Sequence, residues 1–321
     1  MSHPVEARVQ SRKYPFVNMH IADHSVLDTI EGRNICRNCN RSRKFFCYSC
    51  HIPVGELDKI FPRVELPIQI DIIKHKKEID GKSTAVHAAV LAPDHVRIYT
   101  FPDIPDYSQM EGVVLIFPSA TSLTVPQLFE RNVQLKIDDN YGLPKGHHMG
   151  TMLRRRMDEV VGEVPGEPAN KHYTYDNMPI RRAVFIDSTW PQSRSIYADE
   201  RMRRLRTVVL QNRLSQFWRH QRGSPRWYLA TIEAIHQFLL EVHVNAWGLN
   251  AAYRGLENLE ITEGFHQLAE PLTLQASPDC VAREAPYNGQ YDNMLYFFAN
   301  MYDLIHKYYD HNELISYRRP I

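Results

Sequence analysis

Residues 183–194 read Ala-Val-Phe-Ile-Asp-Ser-Thr-Trp-Pro-Gln-Ser-Arg. Val184, Phe185 and Ile186 make a short, unbroken apolar run, the pattern of a parallel strand buried on both faces. The run stops at Asp187. Ser188 or Thr189 can cap a helix there, with Pro191 tolerated in its first turn. A carboxylate, two hydroxyls and an indole therefore stand just beyond the carboxyl end of a central strand, the edge at which open α/β sheets bind ligands. An ordinary strand-to-helix turn closed by an Asx cap has the same pattern. Trp190 favours a binding site, because a bulky aromatic beside a capping turn suits stacking on a flat ring.

Working outward, the pattern is α/β. Strand-like runs cover Val64–Ile73, Ala85–Leu91, Val96–Phe101, Val113–Phe117 and Thr207–Leu210. A helix follows Pro191. Residues 226–243 place Leu229, Ile232, Ile235, Phe238, Leu239 and Val242 at helical spacing, and a last helix covers about Gln290–Tyr309. Residues 132–179 are polar and rich in Gly, Pro, Lys and Arg, the composition of a long insertion, and residues 245–289 are Pro-rich and irregular. The expected division is an N-terminal arm (1–30), a small cysteine module (31–60), an α/β domain (61–245) and an irregular C-terminal segment ending in a helix (246–321).

The chain has 321 residues, 43% of them hydrophobic, enough for a sizeable core. The net charge of +1 hides a local imbalance: Arg194–Arg226 contains nine arginines, no lysine and two acids, Asp199 and Glu200. Such clustering marks either a polyanion-binding surface or a solvated helix face. Arg without Lys favours planar phosphate contacts, with Arg194, Arg203, Arg204 and Arg226 as the candidates. No run of 18 apolar residues exists, so no membrane span is expected. The first residues lack the apolar stretch of a secretory leader, so the five cysteines are expected in a reducing compartment, without disulfides.

Four of those cysteines form two Cys-x-x-Cys pairs, Cys36/Cys39 and Cys47/Cys50, with seven residues between the pairs. Two such knuckles supply four thiolates to one tetrahedral ion, which points to zinc; an iron–sulfur cluster or free thiols are the alternatives. Four thiolates leave no open coordination position, so a zinc here is structural. The loop between the pairs, Asn40-Arg41-Ser42-Arg43-Lys44-Phe45-Phe46, is basic and can touch a nucleic-acid backbone, or simply belong to a stapled subdomain. Cys280 stands alone and reads as a packed thiol.

Phe117-Pro118-Ser119 closes its strand as Asp187 closes its own, so both turns are expected on one sheet edge. Thr231 and Glu233 lie in the apolar opening of a helix, where Glu233 either bonds a backbone amide or ligand amine or points to solvent. His75-Lys76-Lys77-Glu78 and Lys82-Ser83-Thr84 form a polar loop between strands.

These pieces together resemble the DTW-domain family of tRNA-uridine aminocarboxypropyltransferases, related to the SPOUT methyltransferases. The matching residues are the cysteine pairs, His75-x-x-Glu78, Phe117-Pro118-Ser119, Asp187-Ser188-Thr189-Trp190 with Gln192, Ser193 and Arg194 behind it, and Arg226 ahead of Thr231-Ile232-Glu233-Ala234. They span residues 33–240, and their order carries more weight than any one of them. The chain departs at Ala230, where the family has a hydroxyl. The resemblance implies a sheet with a deep trefoil knot at its carboxyl edge, S-adenosylmethionine as donor and a tRNA D-loop uridine as acceptor, and favours the nucleus, with the cytoplasm as alternative. On that reading the donor's 3-amino-3-carboxypropyl arm moves to uridine N3 and methylthioadenosine leaves. Asp187 is then the base. Thr231 and Glu233 grip the amino-acid end, Ser119 holds the adenosine side, Trp190 stacks or walls the pocket, and Phe117, Pro118, Ser188 and Thr189 complete the donor site. The rival readings are a SPOUT-like RNA methyltransferase and a non-catalytic zinc-containing RNA-binding protein. Oligomeric state is left open.

Overall fold

The structure, a computed structural model, describes residues 14–119, 121–129, 173–210, 213–221, 224–259 and 282–319. The insertion expected at 132–179 falls mostly outside these residues, as do the first part of the arm, much of 245–289 and Cys280. The described chain opens with four two-residue strands: β1 (Asn34–Ile35), β2 (Ser42–Arg43), β3 (Phe46–Cys47) and β4 (Ile52–Pro53), paired β1–β2 and β3–β4 as antiparallel ribbons. Then follow β5 (Gln69–Lys74), α1 (Ala85–Leu91), β6 (Val96–Thr100), β7 (Val113–Ile116), β8 (Leu123–Thr124) and α2 (Val125–Phe129). After the insertion come β9 (Arg182–Asp187), α3 (Trp190–Tyr197), α4 (Glu200–Arg203), β10 (Arg206–Val209), α5 (Thr231–Trp247) and α6 (Tyr296–Tyr308).

Strands β5 to β10 form one sheet in the order β6-β5-β9-β7-β10-β8, with every pair parallel. The apolar run at 183–186 is thus a central strand, and Asp187 lies in register with Lys74 at the carboxyl edge. Strand β10 lies between the consecutive strands β7 and β8. Ser119 and Ser122, which follow β7, lie against it, their hydroxyls 2.6 and 3.0 Å from Thr207 Oγ1.

Three expectations are corrected. Ala85–Leu91 is a helix, not a strand; all seven residues are buried. A short apolar run buried on all sides carries no period to separate the two, and three alanines favour the helix. The run beginning at Val64 becomes a strand only at Gln69, because Pro67 cannot donate to a ladder. The long helix starts at Thr231 rather than 226, where the Glu233 carboxylate accepts from the Ala230 backbone N–H (2.9 Å) and fixes the first turn. It stops at Gly248, whose φ of 82° suits glycine.

The described part of the arm, residues 14–30, packs on the C-terminal helix: Phe16 sits edge-on to Phe298 and Tyr302 of α6. One continuous buried cluster joins Phe16, Cys36, Cys47, Phe61, the inner face of the sheet, α1, α5 and α6. Among the described residues no helix is long and apolar enough to cross a membrane.

A polar hub ties the C-terminal part to α5. Asp292, fully buried, accepts from the His20 backbone N–H (2.6 Å), the Tyr253 hydroxyl (2.6 Å), the Tyr287 hydroxyl (2.8 Å) and His236 Nε2 (3.4 Å). Burial pushes this carboxyl up, but the bonds from His236, Tyr253 and Tyr287 outweigh it and hold it below the usual carboxylate range. His236 passes the contact on, since its Nδ1 accepts from Arg213 Nη1 at 3.2 Å. Asp292→Ala leaves those donors without an acceptor and should lower stability by about 3 kcal/mol; urea unfolding checks this, and a wild-type midpoint would show the hub is not cooperative.

Candidate active site

The carboxyl ends of β5, β7, β9 and β10 surround a cavity of ≈ 940 Å³, at the upper end of the range for small-molecule sites. The β5 side contributes Glu78 and Lys82–Thr84, β7 contributes Ile116–Pro118, and β9 contributes Phe185 to Thr189. Val208–Leu210 at the end of β10, Trp190 and Arg194 of α3, Phe217, His220, Ser224 and Trp227–Ala230, and the first turn of α5 add to the lining.

Asp187 is the organising group. It is buried, yet one oxygen accepts from Ser83 Oγ (2.7 Å) and the other from Thr231 Oγ1 (2.6 Å). Its own backbone carbonyl accepts from His75 N–H. Burial pushes its carboxyl above the usual carboxylate range; the two hydroxyls and Lys74 pull the other way without cancelling the shift. Helix α3 begins directly behind it, and Gln192 Oε1 accepts from the Thr189 backbone N–H at 3.2 Å. The walls are aromatic: the Trp190 and Tyr228 rings lie 4.3 Å apart, and Phe117 stacks on Tyr197 at 4.3 Å. Glu78 faces the same space, half-buried, and burial followed by the negative charge of Asp187 pushes its carboxyl up as well.

The cavity brings together Phe117, Pro118, Asp187, Ser188, Thr189, Trp190, Arg194 and Thr231 of the residues singled out in sequence. Others lie elsewhere. Ser119 is buried against β10, where its hydroxyl contacts Thr207 and its N–H donates to Ser122 Oγ. Glu233 points into the protein and is fully buried, accepting from Ser215 Oγ (2.6 Å), Gln216 N (2.7 Å) and Ala230 N. A carboxylate engaged by three donors in the interior has no route to a ligand ammonium. Arg226 is buried with its guanidinium over the Tyr317 ring, so it is not on an RNA-facing surface.

The arginine cluster is divided between interior and surface among the described residues. Arg213 is fully buried, Arg201 binds Asp199 and the carbonyls of Pro102 and Ile104, and Arg204 pairs with Glu200. Arg194 and Arg203 are exposed. Sequence reasoning noticed Ser83 only as part of a polar loop, and Glu78 as part of that loop and of the His75-x-x-Glu78 match, with no site role given to either. Their role follows from β5 lying beside β9, which no local pattern reveals.

In the cysteine module all four Sγ atoms lie within 4.8 Å of one another, with Cys39 and Cys47 3.5 Å apart. None is disulfide-bonded. The residue after each pair, Asn40 and His51, takes a left-handed φ of 56°, so both turns fold in the same way around the thiols. The donor set and spacing fit one tetrahedral ion.

Fold and site define an α/β protein with a ligand cavity at the carboxyl edge of a parallel sheet, joined to a four-cysteine module. The chain belongs to the DTW-domain family, whose sequence profile matches residues 44–306. It is similar to tRNA-uridine aminocarboxypropyltransferase 1 of Mus musculus, 38% identical over 298 residues that cover 91% of this chain and 84% of that protein. The Homo sapiens protein of the same name is 36% identical over 296 residues, covering 91% and 84%, and that of Xenopus tropicalis 34% over 298, covering 90% and 85%. No solved structure matches the chain significantly.

The raised Asp187 carboxyl fixes the sign of a pH effect. Its folded form binds the proton more tightly than the unfolded chain does, so its contribution is favourable below the unfolded value and is lost as pH rises through the folded one. Asp187→Asn should therefore raise the melting temperature near about pH 8, with the gain shrinking towards about pH 4. A melting temperature that falls more at the higher pH than at the lower would mean that the charged form is stabilised on balance.

Proposed function

We propose that this chain transfers the 3-amino-3-carboxypropyl group of S-adenosylmethionine to N3 of a tRNA uridine, forming acp3U and releasing methylthioadenosine. The observation that carries the reading is Asp187: a buried carboxylate with a raised affinity for protons, oriented by two hydroxyls, at the mouth of an aromatic-walled cavity. Relatives 34–38% identical over nine-tenths of this chain bear the matching name.

The chemistry is a displacement. Uridine N3 forms a bond to the donor's γ-carbon, the S–Cγ bond breaks, and its electron pair stays on sulfur as the neutral thioether. The N3 proton must leave, and Asp187 takes it. Its shift towards neutrality suits the task, because a base is most effective near the working pH. The cavity chooses γ-carbon over methyl by holding one carbon in line with N3. Trp190, Tyr228 and Phe117 offer flat faces to the adenine or the uracil. Since Glu233 is engaged internally, Glu78 takes over pairing with the donor's ammonium. The uridine must be unpaired to enter, as D-loop bases are. Exposed Arg194 at the cavity and Arg203 beyond it meet phosphates.

Two finer readings accompany this one. The insertion of β10 between β7 and β8, with Ser119 and Ser122 lying against it, supports a SPOUT-like knot. The four thiols support a structural zinc: Cys36, Cys39, Cys47 and Cys50 would hold it, supplying the folding free energy that a module of two-residue strands lacks.

Mass analysis of nucleosides from tRNA incubated with the protein and S-adenosylmethionine should show the aminocarboxypropyl gain together with methylthioadenosine. A methyl gain with S-adenosylhomocysteine would instead establish a methyltransferase, and tRNA binding with no product a binding protein. Asp187→Asn should cut transfer by about 10²–10⁴-fold while tRNA affinity stays near wild type; unchanged yield removes Asp187 as base. Elemental analysis should find zinc in the purified chain and none in Cys36→Ser or Cys47→Ser, with melting temperatures well below wild type. Full stability without metal would refute the zinc assignment.

A further inference from the structure

We propose that the cysteine module is the strut that sets the 75–84 wall of the cavity, and that Tyr48 is the positioning residue through which it acts. The proposal rests on the transferase reading only for its choice of ligand probe.

The wall needs an external support. Between the end of β5 at Lys74 and the start of α1 at Ala85 the only regular piece is a three-residue helical turn, Asp80–Lys82. Yet this segment supplies Glu78, Lys82, Ser83 and Thr84 to the cavity, and Ser83 supplies one of the two donors that orient Asp187. Ser83 Oγ also accepts from the Ala85 N–H at 3.0 Å, so the turn and the start of α1 are set together. A shift of this segment would pull Ser83 from Asp187 and reshape the cavity in one movement.

The module abuts the outer side of the segment. Tyr48 lies inside the second knuckle, between Cys47 and Cys50. A Cβ on Gly81 would stand 3.4 Å from Tyr48 Cε2, in van der Waals contact, so the ring lies against the turn one methyl group away. The Arg43 guanidinium covers the ring at 4.2 Å, and Phe46 meets it edge-on at 6.2 Å. Phe46 in turn packs against Phe297 (4.7 Å) and His87 of α1 (5.8 Å), anchoring the knuckle to the main core. On the far side, Lys74 pairs with Asp80, and the Lys82 carbonyl accepts from Arg219. Gly81 is therefore gripped between the module and the cavity-side contacts. A knuckle fixed by four thiolates on one ion is far stiffer than the turn beside it, so stiffness passes from the metal site through Tyr48 to Ser83 and the wall. This also accounts for a metal site with no open coordination position lying beside a cavity: its contribution is geometric.

The test uses the full-length chain. Tyr48→Ala should weaken S-adenosylmethionine binding, measured by titration calorimetry, by about ten-fold, the lower range for residues that orient a site from behind. Amide exchange of the peptide 74–85 should speed up, while metal content and tRNA affinity remain at wild-type values. Tyr48→Phe, which keeps the ring, should restore both readouts. Gly81→Val presses on the same contact from the loop side and leaves every residue of the module unchanged, and should weaken donor binding to a similar degree. Wild-type donor affinity and wild-type exchange in Tyr48→Ala overturn the proposal. So does loss of metal in Tyr48→Ala with Gly81→Val indistinguishable from wild type, which would make Tyr48 a part of the module alone. If the wild-type chain binds no S-adenosylmethionine, the transferase reading fails, and the exchange of 74–85 still decides the strut.

Discussion

A carboxylate buried at the end of a central strand must be satisfied from within the protein, and at Asp187 this requirement brings three distant pieces of chain to one point. Taking an ion out of water costs several kcal/mol even after relaxation. The two donors that offset this cost come from Ser83 and Thr231, 104 and 44 residues away in sequence. They meet because β5 lies beside β9 with Lys74 opposite Asp187, which starts the 75–84 segment at the level of the carboxylate. On the other side, Thr231 is the first residue of α5. The sheet order, the polar loop and the start of the longest helix are thus linked through one group.

Behind this first contact lies a second polar layer that fixes the start of α5. Glu233 binds Ser215, Gln216 and Ala230, so the segment leading from β10 to α5 closes onto the helix it precedes. One turn further, the chain Arg213–His236–Asp292 carries the restraint to the C-terminal part. Buried ionic groups of this kind add little to stability compared with a well-packed apolar core, but they penalise every arrangement that leaves one unpaired. For a cavity walled in part by Phe217, Ser224 and Trp227–Ala230, which lie outside helices and strands, such intolerance of misplacement is useful. It holds Tyr228 against Trp190 although neither is held by a strand ladder.

What was legible in the sequence was local. The strand through Ile186, its end at Asp187 and a helix cap at Ser188 or Thr189 each follow from a few adjacent residues; in the structure Asp187 is the last strand residue and Thr189 takes the cap. The matching turn at Phe117-Pro118 reached the same edge for the same reason. The two cysteine turns could be paired from spacing alone. What escaped depended on neighbours in space. Ala85–Leu91 is buried on every side, so it shows no period to separate helix from strand. Ser119 and Glu233 are polar residues near the right edge, but their side chains turn inward. A sequence does not record the direction of a side chain when both directions offer polar partners. Ser83 gained its role only from the order of strands.

The arginine-rich stretch shows the same limit in its chemistry. A guanidinium presents five donors in a rigid fork, which suits phosphate; the same fork suits clusters of backbone carbonyls. Loops at the ligand edge of a sheet lack a hydrogen-bond ladder, and their carbonyls need partners when water is excluded. Within the stretch, Arg201 binds the carbonyls of Pro102 and Ile104 and Arg219 that of Lys82; outside it, Arg319 does the same for Ser316 and Pro225. Nine arginines in 33 positions therefore record two demands at once, stapling irregular chain around a cavity and presenting positive charge to a polyanion. Lysine, a single compact ammonium, would serve the first demand poorly, so the absence of lysine that seemed to mark phosphate recognition is equally what internal stapling requires. A charge count cannot divide the two. The position of each fork relative to a carbonyl can, and it leaves Arg194 and Arg203 facing outward while Arg213 and Arg226 belong to the interior.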